Sequence, residues 1–402
     1  MLEPRDHRHI AQRLGLFHMQ EEAPGMAFWH PRGWTVFRLI EDAVRRHMER
    51  EGFSEVRSPQ ILRQAVWEAS GHWDHFRENM FVLQEERVAA LKPVSCPAHF
   101  HIMRRMSLSY RDLPVRIGEL GLVHRNERSG VLHGLFRLRQ FTQDDGHVFC
   151  AADQIGDEVR RFCEGLRRFY DAFGFSNMLV GFSTRPDDRA GTDDDWDRVE
   201  RLLSEAAEGA RLSPSLQPGE GAFYGPKLEF VLQDQLGRRW QCGTIQLDLV
   251  LADRFDVSYV ASDGERRRPA ILHRAVLGSL ERFLGILLEQ VDGALPGWLA
   301  PEQLTVLPIG DDQRVYAEEV LARARDAGLR AEVEVDDSLS KRIRRAHERG
   351  VPHVFVVGDR EVAATTVSWR SRPSSESPER SSRTLPVAEA LEGLTAACAP
   401  PW

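Results

Sequence analysis

Residues 122–150 read LVHRNERSGVLHGLFRLRQFTQDDGHVFC, and the rest of the chain is organised around them. An apolar run at 116–123 leads in, and a polar, glycine-containing turn covers 126–134. A second run at 135–141 carries Arg137, Arg139 and Phe141 at alternate positions. Alternation on both sides of a turn predicts an antiparallel hairpin. Alternate residues of a strand share a face, so Arg137, Arg139 and Phe141 are expected on one surface. Such a surface suits a nucleotide, because guanidinium groups grip phosphate in a fork and an aromatic ring stacks on a base. Arg125 and Glu127 on the facing strand would add a phosphate grip and an acceptor for an exocyclic amine. A solvated sheet face with an edge phenylalanine fits the same alternation.

Length and composition bound the remainder. At 402 residues the chain suggests two or three domains, and 42% hydrophobic residues supply a full core. No apolar run approaches the roughly 18 residues that a membrane helix needs. The N-terminus, MLEPRDHRHIAQRLGLF, is charged and lacks the apolar core of a signal peptide. Five scattered cysteines fit reduced thiols better than a disulfide frame, so a cytoplasmic protein is expected. The net charge of −8 means that nucleic acid would need a local basic patch.

Helices are expected over 4–23, 34–51, 153–172, 196–212 and, as one long apolar element, 270–291. Strands are expected at 53–56, 223–233 and 239–249, with His72 in a loop. The segment PGWLAP at 296–301 is the clearest linker. Beyond it, strands at 303–309, 330–335 and 353–358 alternate with helices at 312–327, 339–349 and 386–397, as in a small α/β domain. Residues 371–383, SRPSSESPERSSR, have the composition of a disordered segment.

His124-Arg125-Asn126-Glu127 followed by Arg137-Leu138-Arg139-Gln140-Phe141 resembles motif 2 of the class II aminoacyl-tRNA synthetases. The wider wording resembles the threonyl-tRNA synthetase family. It includes GHWDHFRENMF (71–81), FTQDDGHVFC (141–150), GEGAFYGPKLEF (219–230), QCGTIQLD (241–248) and ILHRAVLGSLERF (271–283). The resemblance implies an α+β catalytic domain built on the antiparallel sheet of the class II type, at 1–298. A small α/β anticodon-binding-like domain at 299–402 would follow. It also implies a homodimer paired through motif 1, the helix–strand–Pro59 corner.

The implied reaction joins threonine to tRNA by way of an adenylate, with ATP and Mg²⁺. The first step brings two anions together, so positive side chains must hold both. By resemblance, Arg125 holds the α-phosphate and the substrate carboxylate, and Arg137 holds the outer phosphates. Glu127 accepts from the adenine amine, Phe141 and Arg282 cover the adenine faces, and Gln241 and Thr244 meet the ribose. His72 assists transfer at the terminal ribose of tRNA. Cys96, His147 and His273 would hold one zinc ion per chain. Spacing alone does not join them, and each read alone is a buried thiol or a satisfied histidine. Around that site Asp145 would accept the threonine hydroxyl. Tyr224 would sit by the amino group, Gln143 by the carboxylate and Gln246 near the side chain.

Departures from the family wording border the pocket. Ser95-Cys96-Pro97-Ala98-His99 stands where Asn-Cys-Pro-Gly-His is usual, Gln140 replaces a glycine, and Gly146 replaces an alanine. The C-terminal domain keeps a basic helix after Ser340 and family-matching Glu361 and Arg370, but Gly350 replaces an arginine. Family members usually carry an N-terminal editing domain, and none is expected in this chain. Two other functions fit the residues less closely. One is a paralogue that delivers threonine to a carrier protein or small molecule. The other is a non-enzymatic regulatory or tRNA-binding relative.

Overall fold

The computed structural model describes residues 5–84, 86–234, 236–372 and 382–402. Backbone contacts divide the chain into two units. One comprises 19–27 and 41–286, and the other comprises 1–18, 28–40 and 287–402. Residues 287–298 and two N-terminal segments thus group with the C-terminal sheet, although the sequence boundary was expected at 298.

The larger unit is built on an eight-stranded sheet. In chain order its strands are β1 (Ser54–Glu55), β2 (Val115–His124), β3 (Gln140–Cys150), β4 (Met178–Ser183), β5 (Ser215–Gln217), β6 (Lys227–Gln233), β7 (Arg239–Asp248) and β8 (Ala270–Ala275). Across the sheet the order is β5-β4-β6-β7-β8-β3-β2-β1. Only the two outermost pairs, β1 with β2 and β5 with β4, are parallel.

β8 corrects the expected long helix over 270–291. All six of its residues are buried, because it runs through the middle of the sheet with both faces covered. A strand buried on both faces reads as a continuous apolar run, which periodicity alone does not separate from helix. The helix that follows is Leu280–Gln290. Asp144 on β3 shapes the connection. Its carboxylate accepts from the backbone N–H groups of Val276, Leu277 and Gly278 at 2.6–3.1 Å. Gly278 takes φ +73 in that turn, a conformation that disfavours a side chain.

β3 also begins later than its alternation suggested, at Gln140 rather than at 135. Residues 125–139 are a loop with a short 3₁₀ turn at Ser129–Val131. The backbone N–H of Arg139 leaves the ladder to donate to Gly25 O at 2.8 Å. On the sheet, Gly118 pairs with Gly146. A Cβ at 146 would lie 2.6 Å from Arg274 Nε, so glycine in place of the usual alanine makes room for that buried guanidinium.

In the smaller unit the sheet order is Ala331–Val333, Leu304–Pro308, His353–Val357, Thr366–Ser371, Ser382–Pro386. The first three strands are parallel and the last two antiparallel. Its core joins Leu304, Val306, Phe355, Val367 and Trp369 to Val320 and Leu394 of two helices. The last two strands were not anticipated. TVSWRS does alternate, with Val367 and Trp369 inward, but its serines and arginine hide the pattern. Most of the serine-rich segment, 373–381, lies outside the described residues. On the basic helix Leu339–Glu348, Arg345 pairs with Asp337 and Glu334, and Lys341 with Asp337. Among the described residues no helix is long and apolar enough to cross a membrane.

Candidate active site

A cavity of about 510 Å³ opens over β3, β8 and β7. The catalytic-domain site residues expected from the sequence line it, with the exceptions of His72 and Arg139. The pleat of β3 explains one wall, since Phe141, Gln143, Asp145 and His147 alternate along it and share a face. Sheet register explains the next, because Gln246 pairs with His273, which pairs with His147.

Arg125 leaves β2 at the cavity rim. Its guanidinium carbon lies 5.1 Å from the Phe141 ring centroid and 5.7 Å from that of Phe76, and its Nε donates to Pro93 O at 3.2 Å. Burial draws its pKa down, while Asp145 and Glu127 work against that. Arg137 and Glu127 pair with one another at 3.0 Å. Arg139 does not share the face of Phe141, because its Nε donates to Glu127 O at 2.8 Å. Across the cavity, Arg282 donates to Phe136 O at 3.3 Å and its Nε has no protein partner. Gln143 Oε1 is likewise buried without one. Tyr224 donates its hydroxyl to Gln246 Oε1 at 2.6 Å. Gln241 donates to Glu229 at 2.8 Å.

His72 is not in an exposed loop. It opens the short helix His72–Phe76 after Gly71 and is buried. Its Nδ1 lies 2.8 Å from Ser70 Oγ, and it packs edge-on to Phe223, the neighbour of Tyr224. Burial pulls its pKa down to about 3, so the ring is neutral near pH 7.

At the floor, ligand atoms of Cys96, His147 and His273 all lie within 4.8 Å of one another. His147 Nε2 is 2.9 Å from His273 Nδ1. Burial holds the His147 ring neutral, the form that ligates metals. A buried Cys-His-His set fits zinc and leaves one position open. Asp145 accepts from Ser95 N at 3.2 Å beside it.

Residues that the sequence reading missed stand behind this wall. Asp248 faces His273, His99 faces His147, and Glu119 and Lys92 lie behind His99. One signal was available, since the Cys96-to-His99 spacing is a single helical turn and puts both on one face. The others come together only through sheet register.

Residues 80–291 match the tRNA synthetase class II core domain (G, H, P, S and T), and residues 303–396 match an anticodon binding domain. The RNA binding domain of threonyl-tRNA synthetase from Cryptosporidium parvum superposes with a TM-score of 0.94. The two are 36% identical, and 99% of each chain is covered. The chain belongs to the threonyl-tRNA synthetase family of class II. Threonine–tRNA ligase of Ehrlichia canis is 47% identical over 395 residues, covering 98% of this chain and 62% of its own length. That of Rickettsia africae is 50% identical over 370 residues, covering 92% and 58%. The chain thus spans about three-fifths of these curated relatives. Prolyl-tRNA synthetase of Giardia lamblia shares the fold, with a TM-score of 0.74 at 18% identity over 97% of this chain and 78% of its own.

The helix Leu280–Gln290 is tied to β3 by Glu281. Both of its carboxyl oxygens meet the Thr142 backbone N–H, at 2.9 and 3.0 Å. Burial pushes that carboxyl up from 4.5 to about 7. The native state therefore holds the proton more tightly than the unfolded chain. Its contribution is full below about pH 4.5, fades as pH rises, and is lost above about 7. A shift of this size corresponds to about 3 kcal/mol. Glu281→Gln should therefore gain on wild type by a few kcal/mol between those limits. Urea unfolding of both proteins across that range measures it, and a pH-independent difference would refute the assignment.

Proposed function

We propose that this chain activates L-threonine with Mg²⁺·ATP and passes the threonyl group to tRNA. The observation that carries this reading is one cavity in which Arg125, Phe141 and Arg282 stand beside Cys96, His147, His273 and Asp145. The names of the relatives support it. The catalytic module would be 1–298, and 299–402 would meet the anticodon through Glu361, Arg370 and exposed basic groups.

In the first step a threonine carboxylate oxygen attacks the α-phosphorus, and the bond to the β-phosphate breaks to release pyrophosphate. Arg125 holds the carboxylate and the α-phosphate together, and Gln143 adds a polar contact to the carboxylate. Phe141 and Arg282 cover the faces of adenine, and Arg282 reaches toward the γ-phosphate. Gln241 and Thr244 meet the ribose. Binding of ATP must open the Glu127–Arg137 pair, freeing Glu127 for the adenine amine and Arg137 for the outer phosphates. In the second step a ribose hydroxyl of tRNA attacks the threonyl carbonyl and AMP leaves. His72, neutral near pH 7, serves this step at the terminal ribose.

Selection of threonine falls to Cys96, His147, His273, Asp145, Tyr224 and Gln246. Zinc, when bound, supplies a Lewis-acid seat for an amine and a hydroxyl. A purely apolar pocket separates threonine from isosteric valine by only about a hundredfold. Asp145 accepts the hydroxyl, and valine leaves it unpaired. Tyr224, held by Gln246, lies by the amino group. The five free, buried cysteines suit a reducing cytoplasm.

The chain is proposed to pair as a homodimer through the motif 1 corner, where β1 forms the exposed edge of the large sheet. Light scattering at micromolar protein should give the dimer mass, and a stable monomer would refute the pairing. Threonine-dependent ATP–pyrophosphate exchange should fall by about 10²–10³-fold in Arg125→Ala, the size expected for a lost charge-stabilising donor. Unchanged exchange would remove the motif 2 assignment. Cys96→Ser should lose zinc and threonine activation together while keeping ATP affinity. Valine should stay a very poor substrate and serine a detectable one. Equal activation of valine and threonine would overturn this basis for selection. Charging of purified tRNA separates the ligase from a carrier-directed enzyme.

A further inference from the structure

Behind the Cys96–His147–His273 cluster lies a chain of buried polar groups whose proton positions follow from one another. Glu119 accepts from Ser58 N at 2.9 Å, from Ser58 Oγ at 2.7 Å and from Lys92 Nζ at 2.9 Å. Its Oε2 also lies 3.2 Å from His99 Nε2. Glu119, Lys92 and His99 are all buried. An ionised carboxylate only accepts, so His99 carries its proton on Nε2. With Nε2 serving as its donor, the His99 ring offers Nδ1 as an acceptor. That atom is 2.8 Å from His147 Nδ1, so His147 carries its proton on Nδ1 and its Nε2 is bare.

The opposite side gives the same outcome by a shorter route. Asp248 accepts from the backbone N–H groups of Val250 and Leu251 at 2.7 and 3.0 Å. Its Oδ2 is 3.0 Å from His273 Nε2. His273 therefore carries its proton on Nε2 and its Nδ1 is bare. The two bare nitrogens, His147 Nε2 and His273 Nδ1, face each other at 2.9 Å. Two lone pairs cannot form a hydrogen bond. A cation shared between them, with Cys96 Sγ alongside, satisfies both.

We propose that Lys92, Glu119 and His99 form a buried relay that fixes the tautomer of His147 and so presets the Cys96–His147–His273 cluster to take a divalent metal. His99 and Glu119 are then positioning residues for amino-acid selection, and Asp248 plays the matching part for His273. The proposal rests on the zinc reading given under Proposed function. The relay also explains why a lysine and a glutamate lie buried behind the cavity wall. Their charges hold a proton on one defined nitrogen two residues away.

The test combines zinc affinity with histidine nitrogen NMR. Zinc titrated against a chromophoric chelator should bind His99→Phe about 10–100-fold more weakly than wild type. ATP affinity should be unchanged, and so should zinc affinity in the exposed neighbour variant His101→Phe. Ring-labelled wild-type protein needs no substitution in the relay for its own readout. With and without zinc, it should show His99 protonated on Nε2 only and His147 on Nδ1 only. Wild-type protein that takes up no zinc overturns the metal reading and the relay with it. Wild-type uptake with unaltered affinity in His99→Phe overturns the relay alone. So does a His99 ring protonated on both nitrogens, or a His147 ring protonated on Nε2.

Discussion

The register between two central strands is the constraint on which the site depends. β3 and β8 pair antiparallel with His147 opposite His273, and β7 continues the row with Gln246. One residue of slippage would turn His147 to the other face of the sheet and bring Val148 or Gly146 to the cavity. The same register gives Asp144 its reach to the turn after β8, where three backbone donors converge on it. Ladder pairing therefore sets the His147–His273 wall and the entry of the helix Leu280–Gln290 together. Arg282 rides on that helix, so the Arg282 end and the His147–His273 end of the cavity are placed by one set of backbone bonds.

Burial of charge is the second theme. Asp144 and Glu281 are carboxyls pushed upward by desolvation, to about 6 and about 7, and both serve backbone donors. Glu119 goes the other way, to about 2. Burial opposes its charge, but His99, the Ser58 backbone and Lys92 overcome that opposition. Structural carboxyls thus sit behind the wall, and the groups assigned to ligand stand in front of it. Among the latter, Glu127 and Arg137 neutralise each other. An ion pair at the rim gains little net energy and opens readily to a ligand that satisfies both partners better.

Motif spacing made the wall legible in the sequence where side chains alternate along a strand. Gln143, Asp145 and His147 could be placed on one face because each stands two positions from the next. β8 was misread as helix for a physical reason, since a strand covered on both faces loses its alternation. The loop at 125–139 kept the alternation without the ladder, because Arg139 N turns to Gly25 O. Glu119 and Asp248 were out of reach for another reason. They lie on different elements, and only the closed sheet brings them to the histidines. In the smaller unit, the strand Thr366–Ser371 was hidden by outward-facing polar residues that composition favours for loops.

The central claim is that register and relay together build one sulfur-and-two-nitrogen site for zinc. X-ray absorption at the zinc edge on loaded, threonine-bound protein tests it most directly. The account predicts one sulfur neighbour at about 2.3 Å and two imidazole nitrogens at about 2.0–2.1 Å, with light atoms completing the shell. A shell without sulfur, or one with a single imidazole, would contradict it.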